Sequence, residues 1–148
     1  MLEGAKVSYE GRRAAIALQA ALKGVVPVGA QAEFPDIALR LTSFSARLDT
    51  VVGLDAARGR GRAGQPAPNF RAINGALVSQ LTAQDLGDMA PTPATLAAFA
   101  RTCGELTAVV TAWQRLSTSE LDAFNAVLKG HNRSLITIPA AALKPPAC

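Results

Sequence analysis

Between Thr92 and Leu128, apolar side chains recur at steps of three and four: Leu96, Phe99, Cys103, Leu106, Val110 and Trp113, and then, after a short polar break, Leu121, Phe124 and Leu128. This spacing draws one apolar stripe along a long helix, or along two helices laid nearly end to end. Such a stripe needs partners. Residues 36–54 offer one, with Ile37, Leu41, Phe44, Leu48 and Val51 stepping as a bundle seam does. Residues 69–86 offer another, through Phe70, Ile73, Leu77 and Leu81. Residues 5–25 carry Ile16, Leu18, Leu22, Val25 and Val26 among many alanines, and Val7 and Tyr9 extend that face toward the N-terminus.

Local signals set the ends of these elements. Pro27 and Gly29 close the first helix, and Met1 to Gly4 read as a flexible start with no cap. Pro35-Asp36 opens the second with a negative charge in its first turn, where the helix dipole favours it, and Gly53 falls near its end. Asn69 is placed to cap the third, and Gly87 to Pro91 break the chain after it. Thr92-Pro93 is an N-cap followed by proline at the first helical position. Ser117 and Glu120 have capping-box spacing, which predicts a kink or a restart there. Gly130 reads as a left-handed C-cap, and residues 131–148 read as an extended tail lying on the bundle through Ile136 and Ile138. Short links at 27–35 and 87–91 favour antiparallel neighbours. The predicted fold is therefore all-α: one domain over 1–148, an antiparallel four-helix bundle with a long kinked last helix (helices at about 5–25, 36–54, 69–86 and 92–129). The predicted core comprises Leu18, Leu22, Ile37, Leu41, Phe44, Leu48, Phe70, Ile73, Leu77, Leu96, Phe99, Cys103, Leu106, Val110, Trp113, Phe124 and Leu128.

Composition fits that picture. Hydrophobic residues make up 49% of the 148 and charged ones 18%, enough apolar material for a core and too little charge for disorder. Much of the apolar share is alanine, which favours helices that approach closely but buries little area per residue. No apolar run reaches the ~20 residues needed to span a bilayer. Arg12-Arg13 followed by Ala14 to Val28 imitates a signal peptide, but Gln19 and Lys23 interrupt the apolar stretch, and an amphipathic helix is the better reading.

Charge introduces the first candidate site. The formal net charge is +4, and its excess lies before Ala72, much of it in the run Arg58-Gly59-Arg60-Gly61-Arg62. Alternating arginine and glycine suits phosphate or nucleic acid, although the run lacks interleaved aromatics. Arg58, Arg60 and Arg62 are thus the candidate anion or nucleic-acid contacts, set against a simple solvated loop. The sequence Gly59 to Gly64 matches a G-x-G-x-x-G pattern without the strand and helix that give that pattern its phosphate-binding role.

Candidate catalytic chemistry is sparse. His131 is the single histidine, so a histidine-rich metal site is excluded, and its expected place is at an exposed helix end. Two cysteines lack any metal-type spacing. Cys103 is expected as a buried thiol and Cys148 as a terminal one, a disulfide between them requiring the tail to fold back to within about 7 Å. Asp85 with Asp88, and Glu120 with Asp122, are carboxylate pairs at helix boundaries, where acids also serve capping. No catalytic residue, no cofactor and no metal ligand is assigned.

Two stretches carry a family resemblance. Pro68-Asn69-Phe70-Arg71-Ala72-Ile73-Asn74-Gly75-Ala76-Leu77 is the first. The second runs from Asp88-Met89-Ala90-Pro91-Thr92 through Trp113 to Glu120-Leu121-Asp122-Ala123-Phe124-Asn125-Ala126-Val127-Leu128. This succession resembles the C-terminal helical region of bacterial sialidase-like proteins with BNR-repeat or sortilin-type β-propellers, often labelled glycosyl hydrolases. The resemblance covers about Arg12 to Pro139. It implies a non-catalytic helical accessory module beside a propeller in an extracellular or periplasmic protein. The catalytic or carbohydrate-binding residues would then lie in the propeller, outside these 148 residues. The contrasting expectation is a cytoplasmic basic bundle that binds anions or nucleic acid through Arg58, Arg60 and Arg62.

Overall fold

A computed structural model describes residues 1–25, 33–54, 67–85, 90–138 and 143–147. The described chain is all-α, a helical bundle. Its helices are α1 (Leu2–Lys23), α2 (Pro35–Val52), α3 (Phe70–Asp85), α4 (Pro93–Arg115) and α5 (Leu121–Gly130), with a π-helical turn at Leu116–Glu120 between the last two. The α4–π–α5 segment is one nearly continuous rod and forms the spine of the molecule.

The direction of each helix follows from its contacts. Gln19 of α1 donates to the Asp49 carboxylate of α2, and α1 runs along the spine, with Gly4 near Leu106 and its last turn beside residues 133–137. Gly4 faces Leu77, and Gly11 faces Phe70, so α3 also runs against α1. Against the spine, α2 pairs Arg47 with Glu120, Phe44 with Phe124 and Asp36 with His131. Helices adjacent in sequence are therefore antiparallel across both short links. The loop between α2 and α3 joins two helices that run in the same sense, α3 beside the first half of α1 and α2 beside its second half.

The buried side of α1 differs from the predicted one. Its inward residues are Gly4, Ser8, Gly11 and Ala15, continuing into Leu18 and Leu22. The expected contribution of Tyr9 and Ile16 fails, since they are 54% and 43% exposed, while Val7 is half-buried. Small residues let α3 come close, and its large side chains fill the space: Phe70 and Leu77 are fully buried. A Cβ on Gly11 would lie 2.5 Å from the Phe70 ring. Ser8 is buried at this contact; its hydroxyl donates to Ala5 O at 2.9 Å and accepts from Asn74 Nδ2 at 3.0 Å. The expected flexible start is also replaced by structure, because α1 begins at Leu2.

Several end signals act as read. Asn69 Oδ1 accepts from Ala72 N at 2.9 Å, and Thr92 Oγ1 accepts from Thr95 N at 3.2 Å. Gly53 closes α2 in the left-handed region at φ 93°, against the Asn69 side chain, so a side chain at 53 would be strained and would collide with the cap of α3. Gly130 does not take the left-handed position. The α5 helix runs through it, and Asn132 turns the chain at φ 53°, with Arg133 N returning to Leu128 O at 2.9 Å. Asparagine tolerates that conformation better than other residues that carry a side chain.

The core contains Leu18, Leu22, Ile37, Phe44, Leu48, Phe70, Ile73, Leu77, Cys103, Leu106, Val110, Trp113, Phe124 and Leu128, as predicted. Leu41 and Phe99 are only partly buried. Leu96 is 52% exposed, because the spine's first turns extend past the packed region. Cys103 is disulfide-bonded, which overturns the expectation of a free buried thiol; the chain's other cysteine, Cys148, lies outside the described residues.

The tail is tied down by amide side chains. Asn125 grips the backbone of one residue on both sides, accepting from Ile136 N and donating to Ile136 O, each at 2.9 Å. Gln114 Nε2 donates to Leu143 O at 2.8 Å. Ile136 and Leu143 are buried, so the expected docking through Ile136 holds and a second anchor is added.

Candidate functional site

The most distinctive site lies where α2 meets the π-turn. Helical spacing puts Arg40, Ser43 and Arg47 on one face of α2. Opposite them stand Glu120, Ala123 and Phe124, and the groove between has a volume of about 150 Å³. Its floor is apolar: the Phe44 and Phe124 rings stack with centroids 5.9 Å apart at 19°.

The π-turn shapes one wall. The predicted capping box does not form, and the helix neither breaks nor restarts. Instead the turn widens, and Leu121 N bonds back to Leu116 O. Three hydroxyl residues in succession, Ser117-Thr118-Ser119, occupy the turn. Ser117 and Thr118 hydroxyls donate to Gln114 O at 3.3 and 2.7 Å, and the Ser119 hydroxyl donates to Arg115 O at 3.2 Å. Hydroxyls competing for backbone carbonyls in this way loosen the regular ladder. Turns of this kind are concentrated at functional sites.

Glu120, freed from capping, becomes the electrostatic hinge of the groove. Its Oε2 lies 2.7 Å from Arg47 Nη1, and its Oε1 lies 3.5 Å from Arg115 Nε. Arg47 Nη2 reaches Ser43 Oγ only at 3.5 Å. Arg40 makes no ion pair among the described residues. Two guanidinium groups thus share one carboxylate while Arg40 lines the same groove, and the groove keeps a positive excess.

A second cluster closes the far end of the α2–α5 contact. His131 Nε2 lies 2.8 Å from Asp36 Oδ2. The His131 ring meets the Phe34 ring edge-on at 5.4 Å, and the Arg133 guanidinium sits 4.5 Å above the same ring. The hydrogen bond from His131, helped by the Ile37 backbone amide, holds the Asp36 carboxyl below its ordinary pKa of 3.8. His131 is at a helix end as expected, but the reach to Asp36, 95 residues earlier in sequence, has no local signal.

Two larger hollows carry less convergent chemistry. One, of about 350 Å³, lies between α1 and α2 beside the Gln19–Asp49 bond; the other, of about 400 Å³, lies between the end of α1 and residues 133–137. Both adjoin chain outside the described residues. Of the candidate carboxylates, Glu120 is held by arginines and Asp122 is exposed. Asp88 and the Asp85 side chain fall outside the described residues, as do Arg58, Arg60 and Arg62. Arg40 and Arg47 were not singled out from the sequence. The readable signal was their seven-residue spacing on a seam helix, flanking Phe44.

Among the described residues no group of three or more His, Cys, Asp or Glu side chains is placed to hold a metal ion, and no helix is long and apolar enough to cross a membrane. No protein-family model, no curated protein and no solved structure matches the chain.

Proposed function

We propose that this chain is a non-catalytic helical interaction module of a larger exported protein, docking on a β-propeller domain of the sialidase-like kind. The observation that carries the interaction reading is a second apolar stripe on α1, facing away from the bundle. Leu2, Tyr9 and Ile16 follow one another at seven-residue spacing and are 76%, 54% and 43% exposed. The opposite side of the same helix is already buried through Gly4, Ser8, Gly11 and Ala15. A helix with apolar residues on both sides is suited to a partner beyond its own bundle. The choice of a propeller rests on the resemblance carried by residues 68–77 and 88–128. The disulfide at Cys103 agrees with export, since such bonds persist in oxidising compartments.

The test is binding between this chain and a propeller domain encoded in the same reading frame. Replacing Tyr9 and Ile16 together by glutamate is expected to weaken association at least about tenfold, because it puts two charges into an apolar contact. The helical circular dichroism should be unchanged. Equal binding by the double variant would reject the stripe as the docking face.

A basic bundle that binds anions or nucleic acid is the second reading, favoured by the charge run at Arg58, Arg60 and Arg62. It predicts affinity for single-stranded nucleic acid that falls steeply with added salt and is lost when the three arginines become alanine. Salt-insensitive association with a propeller would decide for the first reading.

A further inference from the structure

We propose that the groove between α2 and the π-turn is a binding site for a small aromatic carboxylate. This inference does not rest on the docking role of α1, which lies on a different surface of the molecule.

The charge pattern selects an anion. Glu120 engages Arg47 through Nη1 and Arg115 through Nε, which orients the Arg47 fork and leaves its Nη2 with one long contact to Ser43. Arg40, two turns earlier on the same face, contributes a guanidinium that is in no ion pair among the described residues. A carboxylate between Arg40 and Arg47 would accept charge-assisted bonds from both, with the Ser43 hydroxyl as a third donor. Planar forks of this type match carboxylate geometry.

The floor and the volume select the rest of the ligand. Phe44 and Phe124 underlie the charged rim, with Ala123 beside them. The volume of about 150 Å³ equals that of an engineered protein cavity known to admit benzene. An inorganic anion would satisfy the arginines and leave the apolar floor wet. A neutral ring would cover the floor and leave the arginines unanswered. A ring bearing one carboxylate answers both. The same chemistry is offered by a free aromatic acid and by a phenylalanine at the end of a peptide chain.

The test is an NMR titration of the full chain with benzoate, reading backbone amides. Saturable shifts confined to the neighbourhood of Ser43, Arg47, Glu120 and Ala123 are expected. Arg40→Ala, at an exposed position that leaves the core intact, should raise Kd about tenfold or more. Glu120→Gln keeps a hydrogen-bond acceptor for Arg47 and removes the competing negative charge, so it should tighten binding. A parallel titration with N-acetylphenylalanine separates the two sources: tighter binding than benzoate assigns the chain-terminal residue, weaker binding the free acid. Non-saturating shifts would overturn the proposal. So would equal response to acetate and inorganic phosphate, or an Arg40→Ala variant that binds benzoate unchanged.

Discussion

Single residues in this bundle act through close approach and through charge. Gly11 is the clearest case of the first. Its missing Cβ is the space occupied by the Phe70 ring, which is fully buried and has no route of escape. Gly11→Ala gains helix propensity but must displace that ring, and a net loss of about 1–3 kcal/mol in a urea melt is expected, as for overpacking elsewhere. Asp36 is the clearest case of the second. Its carboxyl is held below 3.8 by the bond from His131, so its contribution to stability is complete above that value and fades as the pH falls through the lowered pKa. The Tm difference between wild type and Asp36→Asn should therefore shrink on acidification below 3.8. Residues that act on near neighbours, such as Asn69 and Thr92, were legible in the sequence because a cap is a local event. Glu120 was misread for the same reason. Its spacing to Ser117 suits a cap, but its partners are Arg47, from a different helix, and Arg115 in the preceding turn.

At the level of elements, periodicity locates the helices of the described residues, and it fails where the packed surface of α1 is made of small residues. The seam of α1 is Gly4, Ser8, Gly11 and Ala15, which a search for large apolar side chains passes over in favour of Tyr9 and Ile16. In the spine the stripe was correct from Cys103 to Leu128, but the device joining its halves was not a restart. The π-turn sets the phase of α5: each residue turns a helix by roughly 100°. The wide turn already absorbs one extra residue, so inserting a second, an alanine after Thr118, would rotate Phe124 and Leu128 by roughly 100° out of the core, and the expected result is loss of the cooperative melt. Trp113, one turn before it and 3% exposed, is a milder probe; Trp113→Ala should cost about 3–5 kcal/mol while leaving the phase intact.

At the scale of the molecule, the spine is surrounded by α1, α2 and α3 and then revisited by the tail. Fold class and helix order were legible because burying amphipathic stripes permits few arrangements. The shared direction of α2 and α3 was not, since the intervening loop carries no signal about which flank it returns to. The tail's anchors were half legible. Ile136 is apolar and was expected to dock, whereas Asn125 looks like any polar residue on an exposed helix side until its two backbone bonds are seen. Asn125→Ala should release the Ile136 amide, and hydrogen exchange at that position should accelerate toward the rate of a free peptide while amides in α4 stay protected.

The grip of Asn125 has a consequence for variation. An amide that holds a backbone N–H and C=O is blind to the side chain between them, so the tail is constrained by shape far more than by spelling. In a saturation library scored for folding, Leu135 and Thr137, both exposed, should accept nearly any residue except proline. Ile136 and Leu143 should accept only apolar ones. The strictest letters governing the tail should be Asn125 and Gln114, which are not in the tail at all.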